Sequence, residues 1–313
     1  MKELSRLVQR SFHVIPREED FRTLALGASG RTIVRIRING RRTCIGIRWG
    51  NDRADNDSFI PAARHLRTHG VNVPEIYDYE PLAPGCGAAL TEDLGDASLL
   101  SFRQESWQKL RPRYVRAMEQ LHLLHRCPFP EDFSLQPSFD ETLYRWEQEY
   151  FAEHLLGAHL GQDTASFLNH PALKELAQFL ASLPARPVHR DSQSQNVHVH
   201  EGKTWLIDFQ GMRGGRPEYD LASLVYDGYA RLVPEQAEEL LTEWEHITGR
   251  PLDRSIFRSC ALQRLMQMLG AYANIGHNQG KNWYLEQIPA GLEHLRRLLP
   301  GSTLAEPLGA MLA

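Results

Sequence analysis

The sequence predicts an α+β fold of two lobes: a small β-rich lobe over residues 1–95 and a larger, mostly helical lobe over residues 96–313. Three observations predict it. Residues 23–49 hold three short runs of β-branched and apolar residues, two of them joined by Asn39-Gly40, a pair suited to a tight hairpin turn. After Gly95 the apolar period lengthens from that of strands to that of helices, over residues 107–126, 139–156 and 172–183. At 313 residues the chain is long enough to bury a core in each lobe.

Taken in order, Leu4, Leu7, Val8 and Phe12 recur at helical spacing and make residues 1–12 an amphipathic helix packed on the fold. That stretch lacks the continuous apolar run of a secretory leader. Strands are expected at 23–26, 32–38 and 43–49. A helix follows at 57–68, with Asp55 and Asp57 at its start, where caps are common, and Gly70 just past its end. Strands at 75–79 and 88–92 flank the turn-rich Pro84-Gly85-Cys86-Gly87. A short connector at 91–96 leads to the helices, the second of which has a capping-box spacing at Ser138 and Glu141. A β-rich insert spans 188–209, and helices return to the end. Ligands favour the cleft between two such units.

Composition removes several classes. There are 35 basic and 39 acidic residues, net charge −4, so no global field holds nucleic acid or an anionic membrane. Eight arginines lie between Arg22 and Arg53 against one acid, Asp52. Arg35 and Arg37 alternate with Ile36 and Ile38, the pattern of a half-solvated strand, and no aromatic residue interleaves for base stacking until Trp49. No apolar run approaches the roughly 20 residues that span a bilayer. Cys44, Cys86, Cys127 and Cys260 are too few and too scattered for a disulfide framework or a C-x-x-C site, so a reducing cytoplasm is the expected home. His198 and His200 share a strand face and His122 and His125 a helix face, but no further ligands stand at a zinc spacing.

One string decides the chemistry. It runs His189-Arg190-Asp191 to Asn196, then Asp208-Phe209-Gln210. Phosphoryl transfer needs a carboxylate that orients the attacking hydroxyl and takes its proton, and oxygen ligands for Mg²⁺ on the phosphates. If 197–200 and 204–207 pair across a three-residue turn, Asn196 falls opposite Asp208. A two-residue turn shifts this by one. Either register brings Asn196 and Asp208, the candidate metal ligands, out side by side, with Asp191 on the loop feeding that end. Each fragment alone is weak, and the specificity lies in the whole string at this spacing. The turn Leu26-Gly27-Ala28-Ser29-Gly30-Arg31 is not a full G-x-G-x-x-G; either it is a plain hairpin turn, or its backbone N–H groups and Ser29 cradle phosphate oxygens.

The string resembles the catalytic loop of the aminoglycoside phosphotransferase and choline kinase-like superfamily. A resemblance over almost the whole length points to its bacterial branch of anomeric kinases for cell-wall amino sugars, N-acetylmuramate and N-acetylglucosamine. It rests on Ala28-Ser29 with Arg31 to Arg35, Val73-Pro74-Glu75, Glu92-Asp93-Leu94-Gly95-Asp96, Tyr219 to Leu224, Asp227-Gly228-Tyr229, Gln263-Arg264, Leu269-Gly270 and Gly280-Lys281 to Pro289. The resemblance implies a bilobal protein-kinase-like fold and an ATP- and Mg²⁺-dependent transfer to a small-molecule hydroxyl, with a sugar 1-phosphate as product. It implies Asp191 as base, Asn196 and Asp208 as Mg²⁺ ligands, and Glu92 to Leu94 as the adenine-facing backbone. Ser29 and Arg31 would face the phosphates, His189 and Asp220 would support the catalytic loop, and Glu147, Arg264 and Lys281 would lie near the acceptor. The partner is then a small molecule, with neither nucleic acid nor membrane involved.

The chain departs from the wider pattern in two places. Protein kinases carry a lysine on the third strand, and this chain has no lysine between Lys2 and Lys109. Arg48 is the cation in that slot, and the following helix lacks the usual glutamate partner. After Asp191 the branch usually has Phe-His, where this chain has Ser192-Gln193. These positions flank the acceptor, so another small alcohol such as an aminoglycoside, choline or homoserine stays open, as does a nucleotide-binding pseudokinase. Trp146, Glu147 and Tyr150 cluster on one helix, with Trp146 and Phe151 read as core.

Overall fold

The structure, a computed structural model, describes residues 1–26, 31–40, 42–51 and 54–312. Its N-terminal region is an antiparallel sheet of β1 (Phe21–Leu26), β2 (Thr32–Asn39), β3 (Arg42–Trp49), β4 (Ile76–Ala83) and β5 (Cys86–Glu92), in the order β1-β2-β3-β5-β4. Strand alternation gives the sheet two faces. One carries Val34, Ile36 and Cys44 and is covered by α1 (Lys2–Phe12), which buries Leu4, Leu7 and Val8 there. Gly46 permits that approach, because a Cβ at this position would stand 2.8 Å from the Ile36 side chain and 2.9 Å from Leu4. Arg10 of α1 forks the Asp78 carboxylate of β4 at 2.6 and 2.8 Å. The opposite face, with Ile33, Ile45 and Ile47, roofs a cleft.

Between β3 and β4 lies α2 (Phe59–Thr68). It starts two residues later than the spacing predicts, because a 3₁₀ turn at Ala54–Ser58 comes first. Gly70 ends it at φ +81°.

The rest is mostly helical: α3 (Trp107–Arg126), α4 (Glu141–Phe151) continuing as π turns over Ala152–His159, α5 (Ala165–Leu168), α6 (Pro171–Ser182), α7 (Pro217–Val225), α8 (Pro234–Thr248), α9 (Arg254–Asn278), α10 (Ile288–Leu298) and α11 (Ala305–Gly309). The cap of α4 is Asp140, whose carboxylate accepts the Leu143 N–H at 2.7 Å; the expected Ser138 cap sits too early for a helix that begins at Glu141. On α4 Phe151 is fully buried, but Trp146 is 50% exposed and stacks on Tyr150 instead of entering the core.

Helix α9 is buried over most of its length, Gln263 and Arg264 included, and forms the centre of the helical part, packed by α4, α7 and α10. A second apolar core joins the sheet to the helices, with Ile47 of β3, Leu66 of α2, Leu121 of α3 and Leu240 of α8 as members. Two small ladders complete the molecule: β6 (Arg186–Val188) with β9 (Arg213–Gly215), and β7 (Val197–His200) with β8 (Lys203–Leu206). Among the described residues no helix is long and apolar enough to cross a membrane.

Candidate active site

The site is built on the loop between β6 and β7. Of the two registers open to the β7–β8 hairpin, the structure has the two-residue one: Val197 faces Leu206 and His200 faces Lys203. The turn residues Glu201 and Gly202 both take positive φ, +49° and +74°, which matches the twist of a tight hairpin. The Ile207 N–H donates to the Asn196 carbonyl at 3.0 Å, so Asn196 and Asp208 emerge together at the open end.

Two buried carboxylates hold the loop from beneath. Asp220, in the first turn of α7, accepts the N–H groups of His189 and Arg190 at 2.7 Å each and the His125 Nε2–H of α3 at 2.8 Å. The Ser192 hydroxyl donates to the Asp220 carbonyl at 2.8 Å, which turns this side chain inward. Asp227 accepts the Ser194 N–H at 2.8 Å, its hydroxyl, and the Tyr229 N–H at 2.9 Å; burial nevertheless pushes the Asp227 carboxyl up. The His189 ring donates through Nε2 to the Ile207 carbonyl at 2.8 Å and so ties loop to hairpin. Two residues here are held in the left-handed region despite carrying side chains, Arg190 at φ +69° and Asp208 at φ +62°. Such strain is stored where surrounding bonds over-determine the backbone.

Asp191 stands at the centre. Its carboxylate accepts Arg264 Nη2 of α9 at 2.6 Å and Asn196 Nδ2 at 3.2 Å. Burial alone would raise the Asp191 carboxyl, but the Arg264 and Arg190 guanidinium groups outweigh it and keep it below the ordinary aspartate value. The Asn196 amide nitrogen also donates to the Asp191 carbonyl at 2.8 Å, so the atom of this amide left to ligate a metal is its oxygen. Asp208 lines the same cleft, with Gln210 Nε2 on its Oδ1 at 2.7 Å. A carboxylate and an amide carbonyl form an all-oxygen set that suits a hard divalent cation keeping part of its water. Arg31, only 5% exposed, places Nη1 3.7 Å from Asp208 Oδ1 and donates through Nε to Asn56 at 2.6 Å.

The cleft has a volume of about 590 Å³. Its roof is the apolar face of the sheet, its edge runs from Thr91 to Asp96 and includes Glu92 and Leu94, and its floor carries Asp191, Asn196 and Asp208. Ser29 lies outside the described residues, as do the other residues of 27–30.

Arg48 requires correction. On β3, Ile45 and Ile47 point into the cleft, so Arg48 points the other way, half exposed and 4.0 Å from Glu3 of α1. Among the described residues the arginines lining the cleft are Arg31, just before β2, Arg35 of β2 and Arg190 of the loop below. Glu147 also differs from its expected place beside the acceptor. It is buried, accepting the Tyr219 hydroxyl at 2.8 Å and Gln263 Nε2 at 2.9 Å. Arg264 is buried and committed to Asp191, Ser223 and Gln267. Lys281 is exposed on the turn after α9.

Burial pushes the Glu147 carboxyl up to about 7 from an ordinary 4.5, against the donors that would lower it. A carboxyl raised on folding stabilises the fold below its unfolded value and loses that contribution as pH rises through its folded value. Glu147→Gln, uncharged throughout, is therefore expected to gain in melting temperature relative to the unmodified protein between pH 4.5 and about 7. Parallel melting profiles over that range would show that Tyr219 and Gln263 solvate the carboxylate as well as water does.

The sequence carried no sign of several partners. Asn56 receives Arg31 from the 3₁₀ turn before α2. Arg35 forks Asp93 at 2.6 and 2.9 Å and reaches Asp96 at 3.0 Å, so it braces the cleft edge instead of facing solvent. His198 lines the cleft and its Nδ1 is buried with no hydrogen-bond partner among the described residues. Phe59 of α2 stacks on Phe209, centroids 5.4 Å apart, linking that helix to the Asp208 turn.

This arrangement has relatives. N-acetylmuramate/N-acetylglucosamine kinase of Neisseria meningitidis is 26% identical over 257 residues, 77% of this chain and 75% of that protein. The enzyme of the same name from Pseudomonas aeruginosa is 27% identical over 282 residues, 82% of this chain and 77% of that protein. Among solved structures, an amicoumacin kinase in complex with AMP-PNP and Ca²⁺ superposes with TM-score 0.66 at 13% identity, over 97% of this chain and 95% of that one. A choline/ethanolamine kinase family protein from Mesorhizobium loti does so with TM-score 0.61 at 15% identity, over 99% and 98%. These likenesses show a protein-kinase-like fold, and the profile of the phosphotransferase enzyme family matches residues 12–254. The chain belongs to the phosphotransferase enzyme family and is a small-molecule kinase.

Proposed function

We propose that this kinase transfers the γ-phosphoryl group of ATP to the anomeric hydroxyl of an N-acetylated amino sugar, N-acetylmuramate or N-acetylglucosamine, in the cytoplasm. The observation that carries the reaction is the convergence of Asp191, Asn196 and Asp208 on one cleft floor beneath an apolar roof. The acceptor rests on the names of the relatives at 26–27% identity.

In this reading residues 1–95 hold the nucleotide and residues 96–313 hold the acceptor. The base would lie on the apolar roof, with the backbone of Glu92 to Leu94 at its edge. Arg31 would turn its guanidinium to the phosphates, a planar fork that grips two oxygens at once. Asn196 and Asp208 would hold Mg²⁺, which when bound neutralises charge on the phosphates. The sugar oxygen forms its bond to the γ-phosphorus as the bond to the leaving ADP oxygen breaks, and the hydroxyl proton goes to Asp191. The Asp191 carboxyl is kept low by its arginines, so it is a weak base. That suits a loose transition state, in which the nucleophile needs alignment more than early deprotonation.

The test is ³¹P NMR of the protein with Mg²⁺-ATP and, in separate tubes, N-acetylmuramate, N-acetylglucosamine, kanamycin and choline. The expected result is an anomeric phosphate signal in the amino-sugar tubes alone. A signal only with kanamycin or choline would overturn the acceptor and keep the phosphotransferase.

A further inference from the structure

Away from the cleft, two helix ends meet. His65 and His69 stand one turn apart at the C-terminus of α2, and Cys127 caps the C-terminus of α3. One ligand atom from each of the three lies within 4.8 Å of the others. The imidazole rings are 4.5 Å apart, centroid to centroid. His65 Nε2 donates to the Pro128 carbonyl at 3.0 Å, and His69 Nδ1 donates to the His65 carbonyl at 2.8 Å. Those two bonds select the tautomers that leave Nδ1 of His65 and Nε2 of His69 with lone pairs. Metal-binding histidines are oriented in this way by a carbonyl on the second nitrogen. The negative ends of two helix dipoles converge here, which favours a cation. Beside the cluster a cavity of about 600 Å³ opens, and His65, His69 and Asp132 line it.

We propose that His65, His69 and Cys127 form a binding site for a zinc(II) ion, with water or the Asp132 carboxylate from the adjoining cavity in the fourth position. Two imidazoles and a thiolate are a borderline-soft set, the wrong donors for Mg²⁺ and the right ones for zinc. The Cys127 thiol, pushed up by burial to about 11, gives its proton to solvent as the zinc–sulfur bond forms. The sequence reading weighed only His122 with His125 and His198 with His200, and did not single out this set. Cys127 is brought beside them where the His65 ring meets the Pro128 carbonyl just after α3. An ion there ties the end of α2 to the end of α3.

The test uses the full chain stripped with a chelator and titrated with zinc(II) against a chromophoric competitor, then with cobalt(II) followed by absorbance. The expected results are one zinc per chain, a thiolate-to-cobalt charge-transfer band, and no displacement by excess Mg²⁺. His69→Gln, at an exposed position, is expected to keep the fold by circular dichroism. Its zinc affinity should fall by more than the roughly 10–100-fold that loss of an outer-shell partner costs. Cys127→Ser is expected to abolish the charge-transfer band. Zinc uptake by the unmodified chain no greater than that of His69→Gln, or a cobalt complex without the thiolate band, would overturn the site. Neither outcome bears on the phosphotransferase reading.

Discussion

Asp191→Asn is expected to lower phosphoryl-transfer turnover by about 10²–10⁴-fold, with ATP affinity little changed, if Asp191 aligns the hydroxyl and accepts its proton. The geometry shapes how this is measured. The carboxylate accepts Arg264 on one oxygen and Asn196 on the other. An asparagine can turn its oxygen to only one of them, and toward Arg264 it sets its own NH₂ against that of Asn196. Asp191→Ala removes that clash and serves as the second variant. Both are read in single-turnover assays, so that product release does not mask the chemical step. Turnover near that of the unmodified enzyme in both variants would remove Asp191 from the reaction.

Asp208→Ala is expected to abolish the Mg²⁺-dependent part of ATP binding, measured by calorimetry with and without the metal. Asp208 is the carboxylate of an otherwise neutral pair, so its removal leaves only the Asn196 amide, too weak an electrostatic partner for a divalent cation. The backbone complicates the alanine, since φ is +62° here and a residue without a short polar side chain tolerates it poorly. Asp208→Asn accepts the same backbone, keeps the shape and loses only the charge, and is expected to behave like the alanine in the binding assay. An ATP affinity that still responds to Mg²⁺ in both variants would place the metal elsewhere.

What was legible in the sequence follows from how local each signal is. The string from His189 to Asp208 was readable because a hairpin brings its two ends together whatever the turn length, and the structure has the two-residue turn. The exact span of α3, Trp107–Arg126, was readable from its apolar period. Arg48 was misplaced although strand alternation carried the answer: with Ile45 and Ile47 facing the cleft, the residue after Ile47 must face away. Trp146 and the Asp140 cap were missed for the opposite reason, since a helix period does not say how far a stripe is covered or which residue first leaves the helix. The rest lies in pairs far apart in sequence, Arg264 with Asp191, His125 with Asp220 and Arg31 with Asn56. Only the packing of α3, α7 and α9 around the loop brings the first two pairs together.

The brace at Arg35 sets the mechanics of the cleft. Asp93 and Asp96 are fastened to β2 by the Arg35 fork, and Asp93 also takes the Thr43 hydroxyl of β3 at 2.6 Å. One residue further on, the attachment changes sides: Val199 of β7 donates to the Ala97 carbonyl at 2.8 Å, and Ser98 bridges to His198. In this connector the fastening to the sheet thus ends at Asp96 and the fastening to β7 begins at Ala97. A ligand seated against Glu92 to Leu94 would rest on the part of the connector fastened to the sheet, with Asp191 across the cleft from it.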